Sequence, residues 1–403
     1  MSIKIHRPLV QAIVTNIDLI FNQKKQANRV VEHAIKDNKK WGSRDRNFVA
    51  EHTYGVVRWW RKLLFALDMD ISQSEFTETE RWKVLGVWLI SQSVELPAWP
   101  EFSKLDPLAI NDKLKSAEQI RKIKESIPDW LDNLGEEQVP NWTEELTALN
   151  TEASVYLRVN TLKTDADSLI TILAEEGIAA TKVSQMPDTL TLTTRKNLKK
   201  AASYLNGLYE IQDAGSQLIA EFLDAKPGMH IIDACAGAGG KTLSLACQMD
   251  NKGKITALEV EPLKLKELKL RADRSGVKII HTDRISKGVL KKLELSADKL
   301  LLDVPCSGTG VLKRNPDAKW KLTEEFIEQL HNTQADILEQ YTRLLKPGGQ
   351  LVYATCSILK SENEEQVQSF LEKHANYELI SEKRISAADS GFDGFYMALI
   401  QKQ

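Results

Sequence analysis

The sequence of 403 residues contains little cysteine and no long apolar run. Its four cysteines are too few for a disulfide framework, and none of them forms the C-x-x-C pair that is typical of a zinc site. No stretch approaches the roughly 20 consecutive apolar residues that a membrane span needs. The start, MSIKIHRPLV, has no signal-peptide core. We therefore expect a cytoplasmic globular protein with reduced thiols, no bound metal and no membrane partner. We also expect a monomer.

Charge is small in total but unevenly distributed. The whole chain has a formal net charge of −2, whereas residues 1–65 contain 13 Lys and Arg against five Asp and Glu. This start therefore carries +8, and the remainder of the chain carries −10. A basic segment on an acidic protein favours a polyanion partner such as RNA. A solvated helical surface with surplus lysine explains the same charge, and the composition does not decide between the two.

The first quarter of the chain has helical periodicity. Apolar residues recur every three or four positions over residues 1–95, and Ser43 is a candidate N-cap. Trp59 and Trp60 lie between two arginines, so they are either base-stacking residues or ordinary core residues. Shorter alternating segments over residues 155–192 are typical of a small α+β region.

Strands alternate with helices from residue 210 onward. Five apolar segments, each followed by a helical stretch or a turn, predict βαβ units around a parallel sheet. Ligands of such sheets bind at the carboxyl ends of the strands. The patterns predict three parts: a helical region at 1–140, a small α+β connector at 141–208 and a Rossmann-like α/β domain at 209–403.

A glycine-rich turn follows the first of these strands. In IIDACAGAGGKT (231–242), the glycines allow the backbone to approach a ligand, and the following helix offers free N–H groups. Acids end the next three strands, at Glu259, Asp283 and Asp303. Carboxylates would repel a phosphate but suit a ligand with a ribose, an adenine and cationic groups. S-adenosylmethionine fits that description, although each acid could instead cap the helix that follows it.

Two cysteines end neighbouring strands in the same way. Cys306 follows LLDVP, and Cys356 follows LVYAT. Adjacent parallel strands lie about 5 Å apart, so both thiols can face one cleft beside the donor. A thiolate that adds to carbon 6 of a pyrimidine makes carbon 5 nucleophilic enough to accept a methyl group. The residues alone do not tell which cysteine attacks, and two buried structural thiols would show the same pattern.

The sequence resembles a known family, the Sun (Fmu) family of RNA cytosine-5 methyltransferases, particularly its bacterial members that act on 16S ribosomal RNA. About two thirds of the chain carries the resemblance. The matching stretches are SIPDWL (126–131), LRVNTLK (157–163), YEIQDAGSQ (209–217), DACAGAGGKT (233–242), LLDVPCSGTGVLKRNPDAKW (301–320), LLKPGGQLVYATCSILKSENEEQV (344–367) and DGFYMALI (393–400). The stretch RDRNFVAEHTYGVVR (44–58) resembles the helical NusB-type domain that precedes this core in ribosomal members.

The resemblance implies an S-adenosylmethionine-dependent core of Rossmann-like fold and assigns roles to particular residues. Cys356 is similar to the nucleophile and Cys306 to the second thiol, which assists product release. Asp303 would lie near the methionine amine and is the third catalytic candidate. Glu259 would hold the ribose, and Asp283 would lie by the adenine. The donor loop would consist of Cys235, Ala236, Gly237, Ala238, Gly239, Gly240 and Lys241.

One departure concerns that loop. The family motif reads C-A-A-P-G-G-K, whereas Gly237 and Ala238 here replace Ala-Pro. Loss of the proline should loosen the turn, but the later glycines and Lys241 remain, so we expect activity to be retained.

The expected function is therefore methylation of carbon 5 of an RNA cytosine, with ribosomal RNA favoured. A transfer-RNA cytosine-5 methyltransferase shares the same core and is the alternative enzyme. A non-catalytic RNA-binding factor of ribosome assembly is the alternative from another class. The presence of both cysteines, the three acids and Lys241 favours the enzyme.

Overall fold

The computed structural model describes residues 5–194 and 196–403. The chain forms two compact units. The helical unit comprises Met1–Thr151 with Leu312–Thr323, and the catalytic unit comprises Glu152–Val311 with Glu324–Gln403. The predicted division at residues 140 and 208 stays a prediction.

Helices α1 to α9 build the helical unit. They are α1 (Arg7–Ile17), α2 (Ala27–Asp37), α3 (Ser43–Arg58), α4 (Trp60–Ala66), α5 (Glu78–Ser91), α6 (Pro107–Ala117), α7 (Arg121–Lys124), α8 (Asp129–Gln138) and α9 (Trp142–Leu149). The apolar residues of α1 recur at helical spacing, and Val10, Ile13 and Ile17 are completely buried. Trp60 is also core, since it is 2% exposed and stacks on Phe21.

The expected N-cap at Ser43 is wrong by one residue. Ser43 is the first residue of α3, and Gly42 occupies the cap position. The Gly42 N–H donates to the Asp45 carboxylate at 3.0 Å. The acidic side chain three positions into the helix therefore makes the capping contact, and the serine hydroxyl is not needed.

A segment from the second half of the chain completes the helical unit. The Asp317 carboxylate accepts from the Ala27 N–H at the start of α2, at 3.0 Å. The Trp320 indole donates to the Val57 carbonyl at 2.7 Å. Lys319 is only 1% exposed and donates to Asn150 Oδ1 at 3.0 Å. Because Leu312–Thr323 supplies a helix cap and fills buried volume, residues 1–151 alone are not the whole unit.

The catalytic unit begins with a small antiparallel sheet. Its elements are β1 (Tyr156–Val159), α10 (Ala166–Glu175), β2 (Ala180–Val183), β3 (Met186–Leu192), α11 (Ala202–Leu205) and β4 (Tyr209–Ile211), and the strand order is β2-β3-β1-β4. This is the α+β region expected from the alternating segments.

A seven-stranded sheet follows and carries the functional residues. Its elements are α12 (Ala214–Leu223), β5 (His230–Asp233), α13 (Gly240–Gln248), β6 (Lys254–Glu259), α14 (Pro262–Ser275), β7 (Ile280–Arg284), α15 (Lys287–Lys292), β8 (Ala297–Asp303), α16 (Glu324–Tyr341), β9 (Leu345–Thr355), α17 (Glu364–Lys373), β10 (Tyr377–Ile385), α18 (Ala387–Ser390) and β11 (Phe395–Lys402). The strand order is β10-β11-β9-β8-β5-β6-β7. Strands β5 to β9 are parallel, which confirms the Rossmann-like α/β prediction.

The last two strands were not expected. Strand β11 runs antiparallel to both β9 and β10, so the sheet is mixed rather than purely parallel. Within residues 5–194 and 196–403, no helix combines the length and apolarity that crossing a membrane requires.

Candidate active site

The donor loop connects β5 to α13 at the carboxyl edge of the large sheet. Gly237 and Gly239 adopt left-handed backbone angles, with φ of 54° and 87°. A Cβ at Gly239 would lie 2.6 Å from the Leu268 side chain, whereas open space surrounds the corresponding position at Gly237. Gly239 therefore allows the loop to pack closely against α14, and Gly237 leaves the loop surface open to a ligand.

Side-chain contacts hold the loop where the family proline is missing. Arg271 donates to the Ala238 carbonyl at 2.7 Å, and it also pairs with the buried Glu210 carboxylate at 2.9 Å. On the other side, the Gly237 N–H donates to Glu259 Oε2 at 2.9 Å. These contacts fix the two residues that replace Ala-Pro, so the departure from the motif does not leave the turn unsupported.

Glu259 lies at the end of β6, as expected, but already has protein partners. Its Oε1 accepts from the N–H groups of Val260 and Glu261 at 2.7 and 3.1 Å. Among the described residues, its Oε2 accepts one hydrogen bond, from Gly237. Since each carboxylate oxygen accepts more than one hydrogen bond, Glu259 retains capacity for a ribose hydroxyl. The structure thus adds a second role, which is to hold the donor loop.

Asp303 and Lys241 form an ion pair between β8 and the start of α13. The Lys241 ammonium donates to Asp303 Oδ2 at 2.6 Å. Burial alone would lower the pKa of Lys241, but the Asp303 carboxylate, helped by nearby Cys356, raises it. The lysine is therefore a cation within the cleft. Asp283, in contrast, is exposed on β7, and its place beside an adenine stays a prediction.

The structure brings Cys306 and Cys356 together. Residues Asp303 of β8 and Ala354 of β9 are paired in the parallel ladder, and each strand is followed by its cysteine. The two sulfur atoms lie 3.2 Å apart. The hydrogen bond with Cys356 and burial raise the pKa of Cys306 well above its usual value. Either sulfur can be the donor in this contact, and because its pKa is raised, Cys306 keeps its proton and its S–H can donate a hydrogen bond to the Cys356 sulfur.

The other two cysteines have different surroundings. Cys235 belongs to the donor loop, and burial raises its pKa well above the usual value, so it is an inert thiol. Cys247 lies on α13, where Arg158 donates to its sulfur at 3.4 Å. All four cysteines are free. Among the described residues, no group of three or more His, Cys, Asp or Glu is placed to hold a metal ion.

Sequence reasoning missed a buried polar cluster behind the thiols. Its members are Ser307, Thr309, Gln334, Thr355, Ser357, Glu362 and Asn363, and none is more than 7% exposed. The run SENEEQV that contains Glu362 is strongly polar, which is typical of an exposed helix start. Its position directly after the second cysteine motif is the one signal that could have identified it.

The residues at this edge fit S-adenosylmethionine. Glu259 and Asp303 offer carboxylates to ribose hydroxyls and to cationic groups, and the open space at Gly237 accommodates a ligand. Asp233 ends β5 with its Oδ1 atom buried and without a hydrogen-bond partner. A buried acceptor without a partner is costly and indicates a missing donor. The expected donor-binding residues could therefore hold this group.

Two family models match the chain. The 16S rRNA methyltransferase RsmB/F family matches residues 220–399. The ferredoxin-like domain of RsmF/B-like methyltransferases matches residues 127–199.

Curated relatives match over most of the chain. "Probable ribosomal RNA small subunit methyltransferase B" from Synechocystis sp. is 33% identical over 371 residues, which cover 83% of this chain and 82% of that protein. Ribosomal RNA small subunit methyltransferase B from Pasteurella multocida is 36% identical over 291 residues. That match covers 68% of this chain and 65% of the relative, slightly less than two thirds of its length.

Solved structures have the same architecture. The crystal structure of PH0851 matches with a TM-score of 0.82 and 25% sequence identity over 100% of both chains. A methyltransferase homolog protein from Pyrococcus horikoshii matches with a TM-score of 0.63 and 28% identity, covering 72% of this chain and 99% of that chain. These matches confirm the fold class expected from the sequence.

Proposed function

Because this chain belongs to the RsmB/F family of 16S rRNA methyltransferases, we propose that it methylates carbon 5 of a cytosine in 16S ribosomal RNA. Membership confirms the family expected from the motifs and makes the chain an S-adenosylmethionine-dependent RNA methyltransferase. The proposal concerns the atom that is modified, the nucleophile and the target RNA.

One observation carries the proposal. Two thiols lie 3.2 Å apart beside the donor loop, at the ends of adjacent strands. Simple methylation of a nucleophilic nitrogen or oxygen needs no thiol, whereas carbon 5 of cytosine becomes reactive only after a nucleophile adds to carbon 6. The geometry therefore suits carbon methylation of a pyrimidine.

Cys356 is the proposed nucleophile. Its sulfur forms a bond to carbon 6, which makes carbon 5 enamine-like and able to accept a methyl group. The Lys241 ammonium lies near this cysteine, since the two groups interact electrostatically. When bound, S-adenosylmethionine supplies the methyl group. The target base must be extruded from its surroundings to reach this cleft.

Cys306 is the proposed release residue. After methylation, the proton on carbon 5 passes to a base in the cleft, and the bond between carbon 6 and Cys356 Sγ breaks. Because Cys306 holds its proton, it can donate a hydrogen bond to the departing Cys356 sulfur. That bond stabilises the leaving thiolate, so loss of Cys306 should slow this step most.

The proposal extends to the setting of the reaction. Ribosomal RNA is the proposed substrate, as the names of the relatives indicate, and the basic start of the helical unit provides a surface for a polyanion. A cytoplasmic location is proposed, since four free cysteines suit a reducing compartment. We also propose that the protein is a monomer.

Bisulfite sequencing of total RNA tests the proposal. Cells that lack the protein are supplied with either the wild-type chain or the Cys356→Ala variant. We expect a cytosine of 16S ribosomal RNA to resist conversion only with the wild-type chain. Protection confined to transfer RNA would favour the alternative enzyme. Donor binding without any protected cytosine would favour a non-catalytic assembly factor.

A further inference from the structure

Two consecutive polar residues behind the thiols are completely buried. Glu362 ends a short 3₁₀ turn (Lys360–Glu362), and Asn363 precedes α17. Both have an exposed fraction of 0%. Burying such groups is costly unless every polar atom is paired, so their partners indicate what they do.

Glu362 holds the loop that carries Cys306. Its Oε1 accepts from the Ser307 N–H at 2.8 Å, and its Oε2 accepts from the Ser307 hydroxyl at 2.5 Å. Gln334 of α16 donates to the same carboxylate at 3.0 Å and to the Pro305 carbonyl at 2.9 Å. The residues on both sides of Cys306 are thus tied to one carboxylate and its amide partner.

Asn363 holds the loop that carries Cys356. Its Oδ1 accepts from the Thr355 hydroxyl at 2.5 Å, and its Nδ2 donates to the Ser357 carbonyl at 3.0 Å. The residues on both sides of Cys356 are therefore tied to one side-chain amide.

We propose that Glu362 and Asn363 form a thiol clamp, a pair of positioning residues that sets the relative placement of Cys306 and Cys356. Glu362 acts through Ser307, and Asn363 acts through Thr355 and Ser357. The two halves are joined by the chain itself, because the residues are consecutive. The expected effect on catalysis rests on the proposed roles of the two thiols.

The chemistry of each position supports the clamp. All three groups that face Glu362 are donors, namely the Ser307 N–H, the Ser307 hydroxyl and the Gln334 amide. Only a carboxylate accepts from all of them. Glutamine would turn its N–H₂ toward the Ser307 hydroxyl, which would have to rotate and accept instead, so the charge-assisted hydrogen bond at Oε2 would be lost. Asn363 faces one donor and one acceptor, which suits an amide and not a carboxylate. The isosteric exchanges Glu362→Gln and Asn363→Asp therefore disturb the clamp without changing side-chain volume.

The clamp also acts on the charge of Cys306. After the hydrogen bond with Cys356 and burial, the Glu362 carboxylate contributes to raising the pKa of Cys306. Among the described residues, the titratable groups that act on Cys306 include Cys356, Glu362 and Tyr353. Glu362→Gln removes the negative charge, so the pKa of Cys306 should fall.

The first test measures the covalent protein–RNA species on denaturing gels. Glu362→Gln should turn over at least about tenfold more slowly and accumulate this species, as we also expect of Cys306→Ala, because small misplacements of a reacting group cost one to two orders of magnitude. The double variant Asn363→Asp with Cys306→Ala should form the covalent species at least about tenfold more slowly than Cys306→Ala alone. Donor affinity should stay within about twofold, since the side-chain hydrogen bonds of Glu362 and Asn363 go to the two cysteine loops and to α16. The exposed Glu365→Gln on α17 is the matched control and should behave as wild type.

The second test does not depend on RNA chemistry. Iodoacetamide labelling of Cys306, followed by mass spectrometry across pH, should show a lower labelling midpoint in Glu362→Gln than in the wild type. Ser307→Ala removes the hydroxyl half of the contact but keeps the Glu362 charge, so its labelling midpoint should not fall. Its turnover should still be slower than that of the wild type, which keeps the clamp testable if Glu362→Gln does not fold. Wild-type turnover and an unshifted midpoint in Glu362→Gln would overturn the clamp. Absence of any adduct in Cys306→Ala, with the midpoint shifted, would instead overturn the assigned roles of the thiols.

Discussion

Replacing Glu259 with alanine separates two roles that the structure gives to one carboxylate. Glu259 is 7% exposed and accepts three backbone N–H groups. Val260 is 56% exposed, so in Glu259→Ala water can replace the carboxylate as the acceptor for the Val260 N–H just before α14. The Gly237 N–H fixes the donor loop to β6 through the same carboxylate, so Glu259→Ala also removes this tether. A hydrogen bond to a charged group contributes about 1.5 to 3 kcal/mol.

The effect on donor binding follows from the same range. If Glu259 also accepts from the ribose hydroxyls, Glu259→Ala should weaken donor affinity by about 1.5 to 3 kcal/mol. This corresponds to a rise in Kd of about 10- to 150-fold. Titration calorimetry with S-adenosylhomocysteine measures it directly. Glu261→Ala is the matched control, because Glu261 is exposed and pairs only locally with Lys264.

A ligand without ribose hydroxyls distinguishes the two roles. The wild type should bind the 2′,3′-dideoxy analogue of S-adenosylhomocysteine more weakly than the parent compound, and Glu259→Ala should bind both equally. If the variant still discriminates between them, Glu259 only holds the loop. Unchanged affinity of Glu259→Ala for the parent compound would refute both roles.

Two further predictions concern charge. Burial raises the pKa of Asp233 to about 6, so between about pH 4 and pH 6 the unfolded chain has lost a proton that the folded protein keeps. The free energy of unfolding should therefore fall by up to about 3 kcal/mol as pH rises through this window. Urea denaturation across pH measures it, and Asp233→Asn should show a flatter pH dependence. The same pH dependence in Asp233→Asn and the wild type would contradict the raised pKa of Asp233. Exchange of the exposed Lys39 and Lys40 for glutamine should weaken RNA binding and reduce the slope of log K against log salt by about 0.7 for each phosphate that is no longer neutralised. An unchanged slope would mean that these lysines belong to a solvated surface only.

Local patterns predicted much of the catalytic unit. Strands β5, β6 and β8 are short, largely apolar runs that end in an acid, and the apolar end of β9 is followed directly by Cys356. The strand and the functional residue at its end are therefore adjacent in the sequence. The proximity of Cys306 and Cys356 followed from the rule that parallel strands end at one edge. Their separation of 3.2 Å did not, because strand pairing places the backbone but not the side-chain rotamers that bring the two sulfur atoms together.

Features that depend on distant segments escaped prediction. The thiol clamp consists of polar residues whose burial results from packing between α16 and the two cysteine loops, and polarity alone predicts exposure. Leu312–Thr323 follows a catalytic motif in sequence but belongs to the helical unit, since Asp317 caps α2 and Trp320 bonds to α3. The sequence of this segment by itself predicts neither of these two hydrogen bonds.

The two cysteine variants test the central claim most directly. Purified protein is incubated with 16S ribosomal RNA and S-adenosylmethionine and then run on a denaturing gel. Cys306→Ala should accumulate a slowly migrating covalent protein–RNA species, because attack and methyl transfer remain possible while release is impaired. Cys356→Ala, and the double variant, should form none and should not methylate. A covalent species in Cys356→Ala instead of Cys306→Ala would contradict the account, because it would make Cys306 the nucleophile.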